Sequence, residues 1–129
     1  MSQIKFEPIA SRTVEIVEAV MAAEEIVALP ELEFSLRLVV EELVSNVVNY
    51  STSEMITVDV TRLDKVLRLT ITDKGIPFNP LEREAPDVNL GVEERKIGGL
   101  GIFLVREMMN RVTYAYENQT NILTMEKDL

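Results

Sequence analysis

Rough alternation over Met1 to Pro8, with Ile4 and Phe6 as its apolar positions, predicts a first strand. From Ser11 to Leu29 the period lengthens: Val14, Val17, Ala19, Val20 and Val27 stand among Glu15, Glu18, Glu24 and Glu25 at helical spacing. Ser11 is placed to cap that helix and Pro30 lies beyond its end, so one amphipathic helix is expected, its glutamates forming a solvated face. From Glu31 to Tyr50, Leu32, Leu36, Val39, Val40, Leu43, Val44 and Val47 recur at steps of three and four and make a wide apolar stripe. This second helix is expected to be the most buried. Met55 to Thr61 and Val66 to Thr72 alternate β-branched or leucine positions with polar ones about Leu63-Asp64-Lys65, the pattern of two antiparallel strands joined by a tight turn.

Between Lys74 and Arg95 periodicity disappears into prolines, glycines and charges, and a stretch of that length inside a small domain reads as functional or mobile. Gly98-Gly99-Leu100-Gly101 then opens a helix, with Ile102, Val105 and Met109 at helical spacing, and closing strands are predicted over Val112 to Glu117 and Asn121 to Lys127. The expected architecture is α+β: a two-layer α/β sandwich whose mostly antiparallel mixed sheet is covered on one face by helices.

Composition narrows the chemistry. The 129 residues suit a single domain spanning 1–129, and histidine and cysteine are both absent. That removes disulfides, imidazole and thiolate metal ligation, Ser/His and Cys/His pairs and any phosphohistidine intermediate, leaving carboxylates, amides, hydroxyls, Lys, Arg and the backbone. The formal net charge of -9 disfavours direct nucleic-acid or anionic-membrane binding, and a protein partner fits better. No leader of signal-peptide form and no apolar run of membrane-spanning length is seen, so a cytoplasmic protein is expected.

Three constellations remain. On the second helix Glu42, Asn46 and Asn49 lie at i, i+4 and i+7, on one face beside the apolar stripe. A carboxylate one turn from a carboxamide is suited to placing a hydroxyl or water beside a magnesium ion, the amide oxygen being a hard neutral ligand and the carboxylate a proton acceptor. Polar residues also simply mark the solvent side of such a helix. Asp73-Lys74-Gly75-Ile76-Pro77-Phe78-Asn79-Pro80 begins where a strand ends; Asp73 can accept from an exocyclic amine such as that of adenine, and Gly75 allows a flat ring near the backbone. Asp-x-Gly is equally an ordinary exit from a strand. Gly98 to Gly101 can bring backbone N–H groups toward phosphate at a helix start, without the lysine of a P-loop or the context of a dinucleotide fingerprint.

Taken in order, these segments resemble the N, G1 and G2 boxes of the Bergerat-type ATP-binding fold of gyrase, heat-shock-chaperone, histidine-kinase and mismatch-repair ATPases. The carrying residues are Val40-Glu41-Glu42-Leu43-Val44-Ser45-Asn46, Asp73 to Pro80, and Gly98-Gly99-Leu100-Gly101-Ile102-Phe103-Leu104-Val105. Within that superfamily the chain is most similar to bacterial anti-sigma factors that are also serine-protein kinases. The resemblance implies ATP and Mg2+ as cofactors, with Asn46 holding the metal and Glu42 acting as catalytic base toward a serine hydroxyl. Glu41 would point about 100° away on the helix. It further implies that Asp73 and Gly75 bind the adenine, that Gly98, Gly99, Leu100, Gly101 and Ile102 form the phosphate-facing segment, and that Arg95 reaches the γ-phosphate from the lid, with Lys96 a weaker competitor. Implied partners are a STAS-domain anti-sigma antagonist, which would be phosphorylated, and a sigma factor, which would be sequestered; a homodimer is implied as well. Tyr50 stands where many relatives carry histidine, Asn110 where they often carry aspartate, and Asn121 where some carry a Gly-Thr pair near the adenine. The alternative is a non-catalytic nucleotide-gated interaction module of the same fold.

Overall fold

A computed structural model describes residues 1–82 and 99–129. Five strands form its sheet: β1 (Ser2–Phe6), β2 (Ile56–Leu63), β3 (Val66–Asp73), β4 (Arg111–Glu117) and β5 (Thr120–Asp128), in the spatial order β1-β2-β3-β5-β4. Every pair is antiparallel, so among the described residues the sheet is not mixed. Leu63 pairs with Val66 across a two-residue turn in which Asp64 takes φ 53°, and β4 returns to β5 through Asn118 and Gln119 at φ 52° and 61°. Two successive positive φ values match the twist of a two-residue hairpin, and aspartate and asparagine tolerate that region best.

Period-two alternation puts Ile56, Val58, Val60, Leu67, Leu69, Ile71, Leu123 and Met125 on one face, where they are buried. The helices cover this face: α1 (Thr13–Met21), the short α2 (Glu24–Val27), α3 (Glu33–Tyr50) and α4 (Gly99–Met108). α3 is central, packing on both α1 and α4 and contributing Leu36, Val39, Val40, Leu43 and Val44 to the core. The opposite face carries an ionic row in which Glu126 accepts from Arg68 and Arg111, and Arg111 also reaches Asp128. Arg111 foremost, then Arg68, holds the Glu126 carboxyl below the ordinary carboxylate range. The row is solvent-exposed enough that its weight in stability is small.

The first helical segment departs from the expected single helix. Ser11 lies in a 3-10 turn (Ala10–Arg12) and gives no cap; Thr13 Oγ1 instead donates to the Ala10 carbonyl at 2.8 Å. The helix then stops at Ala22, Ala23 turns to ψ 133°, and a new turn starts at Glu24. The break shifts the helical phase. Val27, seven residues after the buried Val20, is 64% exposed, whereas Ala23, Ile26 and Leu29 enter the core and Val14 stays in solvent. Core packing has overridden a run with no helix breaker in it.

Glu25, expected on the solvated face, is buried by the same shift. Its carboxylate accepts from the Ser2 hydroxyl at 2.6 Å and pairs with the α-amino group of Met1 at 3.1 Å, tying β1 to the helical layer. The Ser2 hydrogen bond, ahead of the opposing desolvation, holds this carboxyl below its ordinary range. No helix among the described residues is long and apolar enough to cross a membrane.

Candidate functional site

The inner face of α3 turns polar one turn past Leu43. Asn46 is buried, and its Nδ2 donates to Glu42 Oε1 at 3.2 Å. Only the NH2 end of the carboxamide can donate to a carboxylate, so the chemistry fixes its orientation: Oδ1 is the atom left to meet a hard cation. Glu42 is half-buried, while Glu41 and Asn49 are exposed. Glu42 also borders a depression of about 250 Å3 between α3 and α4, lined by Leu38, Ser45, Leu104 and Met108 among others. The carboxylate thus stands between the buried amide and a surface groove.

Across the site, Asp73 ends β3 directly opposite Asn121 on β5. Asp73 Oδ1 accepts the Gly75 N–H at 3.0 Å and Asn121 Nδ2 at 3.1 Å. Asn121 is itself buried and uses its whole carboxamide: Nδ2 also donates to the Ile76 carbonyl at 2.8 Å, and Oδ1 accepts the Phe78 N–H at 3.0 Å and the Tyr114 hydroxyl. Two donors and two acceptor positions are all such a side chain has. Gly75 is required by space: a Cβ there would sit 2.7 Å from Thr52 Oγ1, 3.0 Å from Asp73 Oδ1 and 3.1 Å from the Thr52 nitrogen. Thr52 Oγ1 in turn accepts the Ile76 N–H at 2.8 Å, so the turn after Asp73 is clamped by Thr52 from one side and Asn121 from the other.

Between Asn46 and this clamp lies an apolar pocket formed by Leu43, Val47, Ile71, Pro80, Leu123 and Tyr114, with Asn46, Asp73 and Asn121 as its convergent polar groups. An apolar slot with a few fixed polar atoms is the usual form of a small-molecule site. Its enclosed volume is about 30 Å3. Phe78 also lines it, stacked on Tyr50 with ring centroids 5.3 Å apart. At that volume the slot has room for a water-sized group and not for a purine ring.

The structure brings Glu42, Asn46, Asp73 and Gly75 to two ends of one site. Gly99, Leu100, Gly101 and Ile102 form the first turn of α4, where backbone N–H groups lack intrahelical acceptors. Arg106, further along α4, donates to the Leu81 carbonyl at 2.9 Å and ties that helix to the segment after Pro80. Arg95, Lys96 and Gly98, and the lid beyond residue 82, lie outside the described residues. Thr52 and Tyr114 carry no local signal in the sequence, and Asn121 stands out there only as a departure from the resembled pattern. Their roles depend on the β3–β5 register and on the loop after α3, neither of which local periodicity encodes.

A profile of the histidine kinase-like ATPase domain matches residues 7–127. Among solved structures the fold is similar to the Acinetobacter baumannii histidine kinase AdeS (TM-score 0.60, 13% identity, 99% of this chain and 68% of that one). It is also similar to the catalytic domain of the histidine kinase ThkA in a nucleotide-free form (TM-score 0.53, 14% identity, 99% and 97%). At such identities the likeness is one of fold, and it agrees with the antiparallel sheet and helical layer described above. No curated protein matches the sequence. With all but the two ends of its length matched by the family profile, the chain belongs to the histidine kinase-like ATPase family.

Proposed function

We propose that this domain binds Mg-ATP and acts as an anti-sigma regulatory factor with serine-protein kinase activity, phosphorylating a STAS-type antagonist and sequestering a sigma factor. The observation that carries the proposal is the Glu42–Asn46 pair, a carboxylate and a buried amide 3.2 Å apart, with Asn46 lining the pocket and Glu42 opening onto the α3–α4 groove. A hydroxyl-bearing side chain entering that groove meets Glu42, which accepts its proton. At the far end Asp73 offers a carboxylate to an exocyclic amine, and the Leu43, Val47, Ile71 and Leu123 walls suit a purine face.

The donor set fits the cofactors. No cluster of three or more acidic side chains able to hold a metal occurs among the described residues. Magnesium, which keeps several waters and takes phosphate oxygens, needs only a ligand such as Asn46 Oδ1 from the protein. When bound, Mg-ATP supplies a γ-phosphoryl group whose charge the metal offsets. With no histidine among these 129 residues, none of them can carry a phosphohistidine, and the acceptor in this reading is a serine hydroxyl of the STAS-type partner.

Incubation with Mg-ATP and a cognate STAS-domain protein tests this. Phosphoserine on the STAS protein is expected, and it disappears in Glu42→Ala while nucleotide binding persists. Intact ATP binding with an unmodified partner, whose affinity nevertheless follows the nucleotide, would establish the non-catalytic module instead.

A further inference from the structure

We propose that Asn121 is the positioning residue for base recognition: it locks Asp73 so that Oδ2 is the oxygen presented to a 6-amino purine. Selection of an amino over an oxo purine then depends on Asn121, which need not touch the base. The inference rests on the reading of the pocket as an adenine-nucleotide site.

Asp73 Oδ1 has its two acceptor positions filled by the Gly75 N–H and Asn121 Nδ2. A carboxylate with one oxygen so held cannot swivel, and its second oxygen carries the remaining acceptor capacity. Asn121 is held just as firmly. The Phe78 N–H must meet an oxygen and the Ile76 carbonyl must meet a nitrogen, so the carboxamide has a single workable orientation, which Tyr114 reinforces from β4. With all four of its hydrogen-bonding positions engaged at 5% exposure, Asn121 has nothing left to offer a ligand. Its influence passes through Asp73.

Substitution Asn121→Asp keeps the shape and replaces the donor by an oxygen facing Asp73 Oδ1 across 3.1 Å and the Ile76 carbonyl across 2.8 Å. Two carboxylates at that distance repel, which turns Asp73 away or forces one of them to hold a proton. The groups facing the pair are Asp73, the Tyr114 hydroxyl and the backbone of Ile76 and Phe78, with Lys74 next in the chain and Leu43, Val47, Ile71 and Leu123 as neutral walls. As pH falls and the pair takes up a proton, the acid's single O–H can meet Asp73 Oδ1 or the Ile76 carbonyl but not both, so acid relieves the repulsion between the carboxylates and restores only part of what the amide's two N–H groups supplied.

The experiment measures equilibrium binding of ATP and of ITP, which carries a 6-oxo group in place of the amine, to the wild type and Asn121→Asp between pH 5 and 8. Expected at pH 8 is a loss of ATP affinity of about tenfold or more, the scale of a hydrogen bond to a charged group, with ITP affinity nearly unchanged and the ATP loss shrinking toward pH 5. An equal fall for both nucleotides, or an unaltered ATP:ITP ratio, overturns the proposal, because a merely structural residue would move both together. Should Asn121→Asp not fold, Tyr114→Phe removes one support of the same carboxamide, and an unchanged ATP:ITP ratio in it counts against the proposal equally. If the wild type binds neither nucleotide, the adenine-site reading fails and takes this inference with it.

Discussion

Gly75→Ala adds a single methyl group to the turn that follows Asp73, and its cost can be worked from the surroundings. The new Cβ would lie 2.7 Å from Thr52 Oγ1, which can swing aside only by giving up the 2.8 Å hydrogen bond it accepts from the Ile76 N–H. That loss is worth about 1 kcal/mol. Rotation does not relieve the contact with the Thr52 backbone nitrogen at 3.1 Å, nor that with Asp73 Oδ1 at 3.0 Å. Shifting backbone or over-filling a packed site brings the total to about 1–3 kcal/mol. For a chain of 129 residues each kilocalorie corresponds to roughly 3–5 °C, so differential scanning calorimetry should show a drop of about 3–15 °C. Nucleotide affinity should fall with it, because the displaced carboxylate is the one proposed to meet the base. The second substitution Thr52→Ala removes the closest obstacle and should cost less in the Gly75→Ala background than in the wild type. A Gly75→Ala protein with unchanged melting temperature and ATP affinity would refute the reasoning.

Leu43→Ala empties a fully buried position shared by the core and the pocket, and should lower stability by about 2–5 kcal/mol in urea unfolding. Glu25 has its carboxyl held below the unfolded value near 4.3, so its contribution is complete above that pH and lost as pH falls through the depressed folded value. The urea midpoint of Glu25→Gln should accordingly lie below wild type at pH 7 and converge with it below about pH 4; a gap that stays constant with pH would contradict this. Asn46→Ala should abolish most of the magnesium-dependent part of the thermal shift produced by ATP, while leaving the metal-independent part.

Much of the architecture was legible because it rests on local periodicity. The β2 and β3 alternation and the α3 stripe each mark a buried face, and the structure buries those faces. Glu42 and Asn46 were readable for the same reason, since helical spacing alone places them one turn apart. What escaped reading is non-local. The helical break at Ala22–Ala23 has no breaker residue and arises from the demands of the core, which is why Glu25 and Val27 exchange the environments expected of them. Asn121 could be seen as unusual, yet its partnership with Asp73 needs β3 and β5 to be neighbours in a known register.

The aromatic inventory has a practical consequence. The protein contains no tryptophan and three tyrosines. Tyr50 stacks on Phe78, Tyr114 bonds Asn121, and the Tyr116 hydroxyl reaches the Gly75 carbonyl at 3.3 Å. Tyr114 lines the slot, and Tyr50 and Tyr116 touch the turn beside it, with no indole to mask their emission. Tyrosine fluorescence and difference absorbance become built-in reporters of this end of the sheet, so a change in the turn after Asp73 can be followed in the unlabelled wild-type protein, in real time and without a probe that disturbs it.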